Sequence, residues 1–247
     1  PKIIQTWSIQ MDILGGLLCF IFRIKHILME PISPDDDNPK KFNLKIFIKQ
    51  IFAKYAIIVS NSEVARLYWK SRKVKRSVLI RNGFDINSIK NTKENALPVD
   101  LEKFLKDSEF LVVASRLSKT SIHKRTELII DTFAKIIKKK PELKLVICGD
   151  GDLSYIYKDL VSKKKIKSKV FFTGFLKRKQ LWTIFHKASL FISLSKYEGM
   201  SNSLIEAGLC DVPLFLSKIT THLEVIPIGF AHYIDKYDVN SVSTEII

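Results

Sequence analysis

The 247-residue chain is long enough to bury a sizeable core and to form one or two domains. Its 46% hydrophobic and 27% charged residues exclude a disordered or low-complexity chain, and its longest apolar run, 13–22, is shorter than the roughly 20 residues a membrane-spanning helix needs. The net charge of +16 admits an anionic membrane surface, nucleic acid or an anionic substrate as partner, or simply lysines on every solvated face.

Residues 3–6 read as a short strand and 11–24 as a largely apolar helix in which Gly15 and Gly16 permit close packing on a sheet. His26-Ile27-Leu28-Met29-Glu30 is the next strand, ended by Pro31 and Pro34. Asp35, Asp36, Asp37, Asn38 and Pro39 then make a polar loop. Its aspartates read as an exposed turn rather than a metal site, because nothing else with ligand spacing lies nearby. Residues 42–56 form an apolar helix with Lys41, Lys45 and Lys49 at i, i+4 spacing. This helix reads as packed on a sheet with its lysine stems snorkelling, and a membrane-surface element is the rival reading. Ile57-Ile58-Val59-Ser60 is a strand, and Asn61-Ser62-Glu63 opens a helix to about 71.

From 86 to 106 the chain is polar and poorly periodic, as a linker is. Strands at 110–115, 143–148, 170–173, 190–195 and 213–217 then alternate with helices at 124–140, 153–166, 177–188, 202–210 and 221–226. Such alternation specifies a parallel sheet covered on both faces, with ligands at the C-terminal strand ends. Cys19, Cys148 and Cys210 are odd in number and scattered through apolar contexts, which reads as buried free thiols in a reducing compartment. No signal-peptide cleavage pattern follows the apolar run, so the expected location is cytoplasmic.

The stretch from Leu190 to Gly208 organises the rest. The strand Leu190-Phe191-Ile192-Ser193-Leu194 leads into a turn at Glu198-Gly199 and a helix opened by Ser201 and Asn202. Free N–H groups at a helix start suit a phosphate or sugar oxygen, and a carboxylate accepts paired hydrogen bonds from vicinal hydroxyls. Glu198 and Glu206 with this turn therefore suit a nucleotide sugar. Arg116 and Lys124 follow the strand at 110–115, Gly149-Asp150-Gly151 the strand at 143–148, and Gly174 the strand at 170–173. Asp150-Gly151-Asp152 also reads as a metal-binding D-x-D. His186 reads as a structural histidine.

Glu198 to Glu206 is an E-x7-E spacing. The run Glu198-Gly199-Met200-Ser201-Asn202-Ser203-Leu204-Ile205-Glu206-Ala207 resembles the E-G-(F/M)-x-N-x-(L/P)-x-E-A signature of retaining GT-B glycosyltransferases of family 4, the glycosyl transferases group 1. Residues 53–60 resemble the A-x-x-x-(I/V)-x-V-S of that family, and 78–85 its V-I-x-N-G-(I/V)-D. The resemblance implies an α/β GT-B fold of two Rossmann-like, doubly wound parallel-sheet domains, the first incomplete. Residues 1–85 would be the C-terminal part of the acceptor-side domain, 86–107 a linker, and 108–247 the donor-binding domain. Family members begin with further strands and a glycine-rich loop and end with a long C-terminal helix, so the chain is expected to be shortened at both ends.

The resemblance further implies the roles of single residues. Arg116 and Lys124 would meet the donor diphosphate, with Lys119 a rival for Lys124. Glu206 would hold the ribose hydroxyls and Glu198 those of the transferred sugar. Gly199, Met200, Ser201 and Asn202 would offer amides to sugar or phosphate, while Gly149, Gly151 and Gly174 would let backbone approach the ligand. The G-x-G turn of the family argues against a metal at Asp150 and Asp152, so no metal or cofactor is expected. The implied partners are a nucleotide-sugar donor and a saccharide or lipid-linked acceptor. The implied product is a cell-surface polysaccharide or glycolipid, made by an enzyme peripheral at the inner membrane face. No nucleic acid is expected. Where many members carry a histidine after the second strand, this chain has Pro31. The rival readings are a non-catalytic nucleotide-sugar-binding fragment and a basic protein that binds membrane or nucleic-acid surfaces.

Overall fold

The computed structural model describes residues 1–31, 44–92 and 94–247. The aspartate loop at 35–39, Pro34 and Lys41 lie outside the described residues. The chain forms two compact units, Pro1–Gly83 with Tyr197–Ser201, and Phe84–Lys196 with Asn202–Ile247.

The first unit holds β1 (Ile3–Thr6), α1 (Ile9–Ile21), β2 (Lys25–Glu30), α2 (Leu44–Ala53), β3 (Ile57–Ser60), α3 (Glu63–Ser71) and β4 (Ser77–Leu79). Its four strands lie in chain order and pair in parallel. Leu28 and Ile58, neighbours across the β2–β3 ladder, are fully buried and meet Ala53, Tyr68 and Trp69 in one core. Ser62 caps α3, accepting the Ala65 N–H at 3.3 Å, as the Asn61-Ser62-Glu63 sequence predicts.

One expectation in this unit is corrected. Lys49 does not snorkel: its side chain is buried, with Nζ 2.9 Å from Asp12 and 2.7 Å from Glu30. Period alone places Lys49 beside Lys45, but the carboxylate of Asp12, carried on the inner face of α1, draws it inward.

The second unit begins with α4 (Ile86–Asn91) and α5 (Val99–Leu105), continues through β5 (Phe110–Ala114), α6 (Thr126–Ile136), β6 (Lys144–Cys148), α7 (Ser154–Lys163), β7 (Val170–Gly174), α8 (Arg178–Lys187) and β8 (Leu190–Ser193), and closes with α9 (Asn202–Leu209), β9 (Leu214–Ser217), α10 (Thr220–Val225), β10 (His232–Ile234) and α11 (Val239–Ile246). The segment expected as a linker is folded into this unit. Ile89, Leu97 and Leu101 are buried in its core, with Phe104 and Leu105 packed against it, enough to anchor two short helices in an otherwise polar stretch.

Six parallel strands lie in the order β10-β9-β8-β5-β6-β7. The two faces follow from the pleat. Leu111 and Val113 of β5 join α6, α7 and α11 in one core, while Phe110 and Val112 join α4, α5, α8 and α9 in the other. From β5 the chain steps outward to β6 and β7, then returns to the opposite side of β5 with β8. The switch point of this doubly wound sheet therefore lies between β5 and β8, where such folds open a crevice beyond the strand ends.

Candidate functional site

At the switch point the end of β5 runs into Ser115-Arg116-Leu117. This loop is laced to the turn after β6: Ser115 N–H donates to Cys148 O at 3.0 Å, Leu117 N–H to Asp150 O at 2.9 Å, and Leu153 N–H to Leu117 O at 2.8 Å. Gly149 has φ +129°, and a Cβ there would stand 2.0 Å from Ser115 O; at Gly151 one would stand 2.2 Å from Leu117 O. Only glycine lets the two loops approach so closely. Gly149 N–H also donates to Gly174 O at 3.1 Å, which brings the β7 end into the same group. Arg116, Gly149, Gly151 and Gly174, predicted separately, thus share one edge of one sheet, with Arg116 exposed on it.

Lys119 and Lys124 stand at the two ends of a 3₁₀ segment, Lys119–Lys124, that is kinked at Ser121 after this loop. Lys119 N–H donates to Asp152 Oδ1 at 3.0 Å, and Lys196 N–H to His123 O at 2.8 Å, so the turn is fixed at both ends. Arg125, the neighbour of Lys124, is structural: its guanidinium donates to Leu194 O at 3.1 Å and lies 4.0 Å from the Tyr237 ring centre. Asp150 accepts from Gly151 N–H at 2.8 Å and from Ser154 Oγ at 2.5 Å, and the Ser154 bond, followed by the Gly151 bond, holds its carboxyl below the usual range. Asp150 thus caps its own turn and Asp152 ties that turn to Lys119, and among the described residues no group of three or more His, Cys, Asp or Glu side chains is placed to hold a metal ion.

α9 starts at Asn202, as expected, and Ser203 Oγ donates to Ala114 O at 3.2 Å, tying its first turn to the end of β5. Glu206, one turn along, is only 6% exposed. Burial pushes its pKa up; the charge of Arg178 and the Trp182 indole pull it back.

The remaining signature residues belong to the first unit, so the E-x7-E run is divided between the two. Glu198 and Ser201 are buried there. Gly199 lies so close to Pro31 that a Cβ would stand 1.5 Å from its carbonyl oxygen, and Met200 Sδ accepts the Asn82 N–H at 3.2 Å. His186 is structural, its Nε2 3.0 Å from Ile89 O.

The chain from 98 to 247 matches the family described as glycosyl transferases group 1. The chain belongs to that family. Among curated relatives of this family member, an uncharacterized glycosyltransferase, MJ1059, of Methanocaldococcus jannaschii is 26% identical over 83% of the chain and 52% of its own length. The α-monoglucosyldiacylglycerol synthase of Streptococcus pneumoniae is 24% identical over 64% of the chain and 36% of its own length. The chain therefore spans about half or less of the relatives it matches. Among solved structures, Anabaena Alr3699/HepE in complex with UDP-glucose superimposes with a TM-score of 0.80 at 18% identity, over 99% of this chain and 68% of that one. The α/β fold of two parallel sheets is the GT-B arrangement of such neighbours.

Each unit also holds polar residues that the sequence did not announce. Arg178 and Trp182 sit at Glu206 on a neighbouring helix, and their only signal is i, i+4 spacing on α8. In the first unit, Thr6, Asp12, His26, Glu30 and Lys49 form one buried network: Thr6 Oγ1 is 2.5 Å from Asp12 and 2.9 Å from His26 Nε2, and Trp69 Nε1 donates to Glu30 at 3.2 Å. A lone aspartate on the same helix face as Gly15 and Gly16 was the available signal.

Proposed function

We propose that the chain carries the donor site of a retaining family 4 glycosyltransferase that moves a sugar, a hexose by family analogy, from a nucleoside-diphosphate sugar to an acceptor. The observation that carries this reading is the glycine-cradled Arg116 loop at the switch point, inside the segment that matches the family. Arg116 supplies a planar fork and Lys124 a point charge to the diphosphate, offsetting the charge that grows on the leaving group. Lys119 is the alternative on the same turn. The amides of the glycine loops admit phosphate or base closely, and those from Gly199 to Asn202 meet sugar or phosphate oxygens.

Glu206 takes the ribose hydroxyls. Burial disfavours its charged form, so two hydroxyl donors stabilise it in return, and losing them weakens donor binding by roughly a hundredfold to ten-thousandfold. Glu198 holds hydroxyls of the transferred sugar. The reaction needs no metal in this reading, since cationic side chains carry the diphosphate. Transfer retains the anomeric configuration by family analogy. The acceptor is a saccharide or lipid-linked molecule of a cell-surface polysaccharide or glycolipid, a reading that the name of the pneumococcal relative favours, with the enzyme at the inner membrane face.

Calorimetric titration with UDP, GDP and ADP tests the site. Micromolar binding of one diphosphate without added metal, weakened by Glu206→Ala and by Arg116→Ala, is expected. Equal weak binding of all three, unmoved by either change, overturns the assignment. Transfer is read separately, by anomeric proton signals of a product formed from the matching donor.

A further inference from the structure

Trp182 carries a buried donor that nothing in its own helix uses. It lies one turn after Arg178 on α8, which packs against α9, so both side chains reach Glu206 from one face of that helix. The Trp182 ring is 6% exposed and sits in the core with Leu204, Ala207 and Cys210 of α9. Its Nε1 is buried with no hydrogen-bond partner, yet the indole lies near enough to Glu206 to favour the charged carboxylate. Buried donors are almost always paired, tryptophan N–H groups included, and an indole N–H can only donate.

The two neighbours of Glu206 act differently. Arg178 is exposed at the start of α8, so its attraction is screened by solvent and fixes no direction. The Trp182 ring is locked by packing, and its N–H points along one line. An ionised carboxylate offers about four acceptor sites, enough for a fixed donor beside the vicinal hydroxyls of a ribose. A glutamate held in this way loses less rotamer freedom when a ligand binds.

We infer that Trp182 is a positioning residue for donor binding: its indole N–H donates to Glu206 when the ribose is held, and fixes the plane of the carboxylate across the vicinal hydroxyls. This role rests on the reading of Glu206 as the ribose acceptor and adds to it the group that orients Glu206.

The test is calorimetric titration of the full chain and of Trp182→Phe with UDP, GDP and ADP, and with the 2′-deoxy form of the one that binds. Phenylalanine keeps an aromatic ring in the core and removes the donor. A hydrogen bond to a charged group is lost, so Trp182→Phe should weaken the ribose form by roughly tenfold to a hundredfold, and the deoxy form by less. In the wild-type chain with isotope-labelled tryptophan, the Trp182 indole proton should move downfield on saturation with the ribose form. Its signal is assigned among the three tryptophans by its loss in Trp182→Phe. Equal losses for the ribose and deoxy forms reduce Trp182 to packing and overturn the inference. An indole signal unmoved at saturation also overturns it, and this is read on the wild-type chain even where Trp182→Phe folds poorly. Weakening by Glu206→Ala with no effect of Trp182→Phe overturns the inference and leaves the donor site standing. Equal weak binding of all three diphosphates, unmoved by Glu206→Ala, overturns the donor site and this role with it.

Discussion

Removing Lys49 should destabilise the first unit severely, and in a pH-dependent way. Its side chain is 6% exposed, and its ammonium lies between Asp12 and Glu30, each within hydrogen-bond distance. Burial lowers the pKa of Lys49, but Glu30 and then Asp12 outweigh it and hold the group above its ordinary value, so it is charged throughout the neutral range. In Lys49→Met the two carboxylate oxygens stay within about 6 Å of each other, a repulsion of about 3 kcal/mol at an effective dielectric of 20. Breaking a buried pair costs about 3–5 kcal/mol, and with two partners stranded the upper end is expected. That is a large share of the ~5–15 kcal/mol by which a domain is stable. Burial already raises the pKa of Glu30, and loss of the lysine raises it further. The folded mutant then holds a proton that the unfolded chain releases, so its deficit shrinks as pH falls toward 4.5, the ordinary carboxyl value. Urea unfolding followed by buried Trp69, with hydrogen exchange of peptides from β2 and α3, reads this out at pH 8 and pH 5. Adding Asp12→Asn and Glu30→Gln should recover most of the loss. A deficit under 1 kcal/mol at pH 8, or one that does not change with pH, refutes the reasoning.

Other changes give independent checks. Burial holds the pKa of His26 below 6.5, with Asp12 opposing; its neutral form therefore contributes stability above pH 6.5 that is lost as pH falls through the folded value, and His26→Gln should flatten this part of the stability profile. Gly149→Ala places a methyl 2.0 Å from Ser115 O at a positive φ, which should cost about 1–3 kcal/mol in unfolding of the second unit and abolish diphosphate binding in the same titration. Burial pushes the thiols of Cys148 and Cys210 up to about 12. Near pH 8 only about one in ten thousand is thiolate, so a disulfide reagent should label both only after denaturant is added, and rapid labelling of the native chain would contradict their burial.

The second sheet was legible because each of its central strands is a run of four or five apolar residues between turns, so that both faces of the pleat are apolar. Leu111 with Val113 and Phe110 with Val112 fill the two cores in turn. The glycines were legible for a related reason: close approach admits no other residue at Gly149 and Gly151, whatever their surroundings. Residues 86–107 read as a linker because their inward positions, Ile89 and then Leu97, Leu101, Phe104 and Leu105, are split between two short helices in a polar stretch, and the helical spacing of the last four spans barely two turns.

Lys49 marks a different kind of limit. Its i, i+4 spacing with Lys45 is correct as geometry, and both do lie on α2. What the period cannot report is that the neighbouring helix presents a carboxylate where apolar packing is expected. The same inversion of α1, with Asp12 and two glycines inward and its leucines outward, buries one lysine and leaves a greasy face on the surface. The buried ion network and the exposed apolar stripe are thus two consequences of one arrangement of side chains around α1. Exchanging Asp12 for leucine should therefore damage the core without improving the fit of the helix, because the space it fills is shaped for the Thr6 and Lys49 contacts.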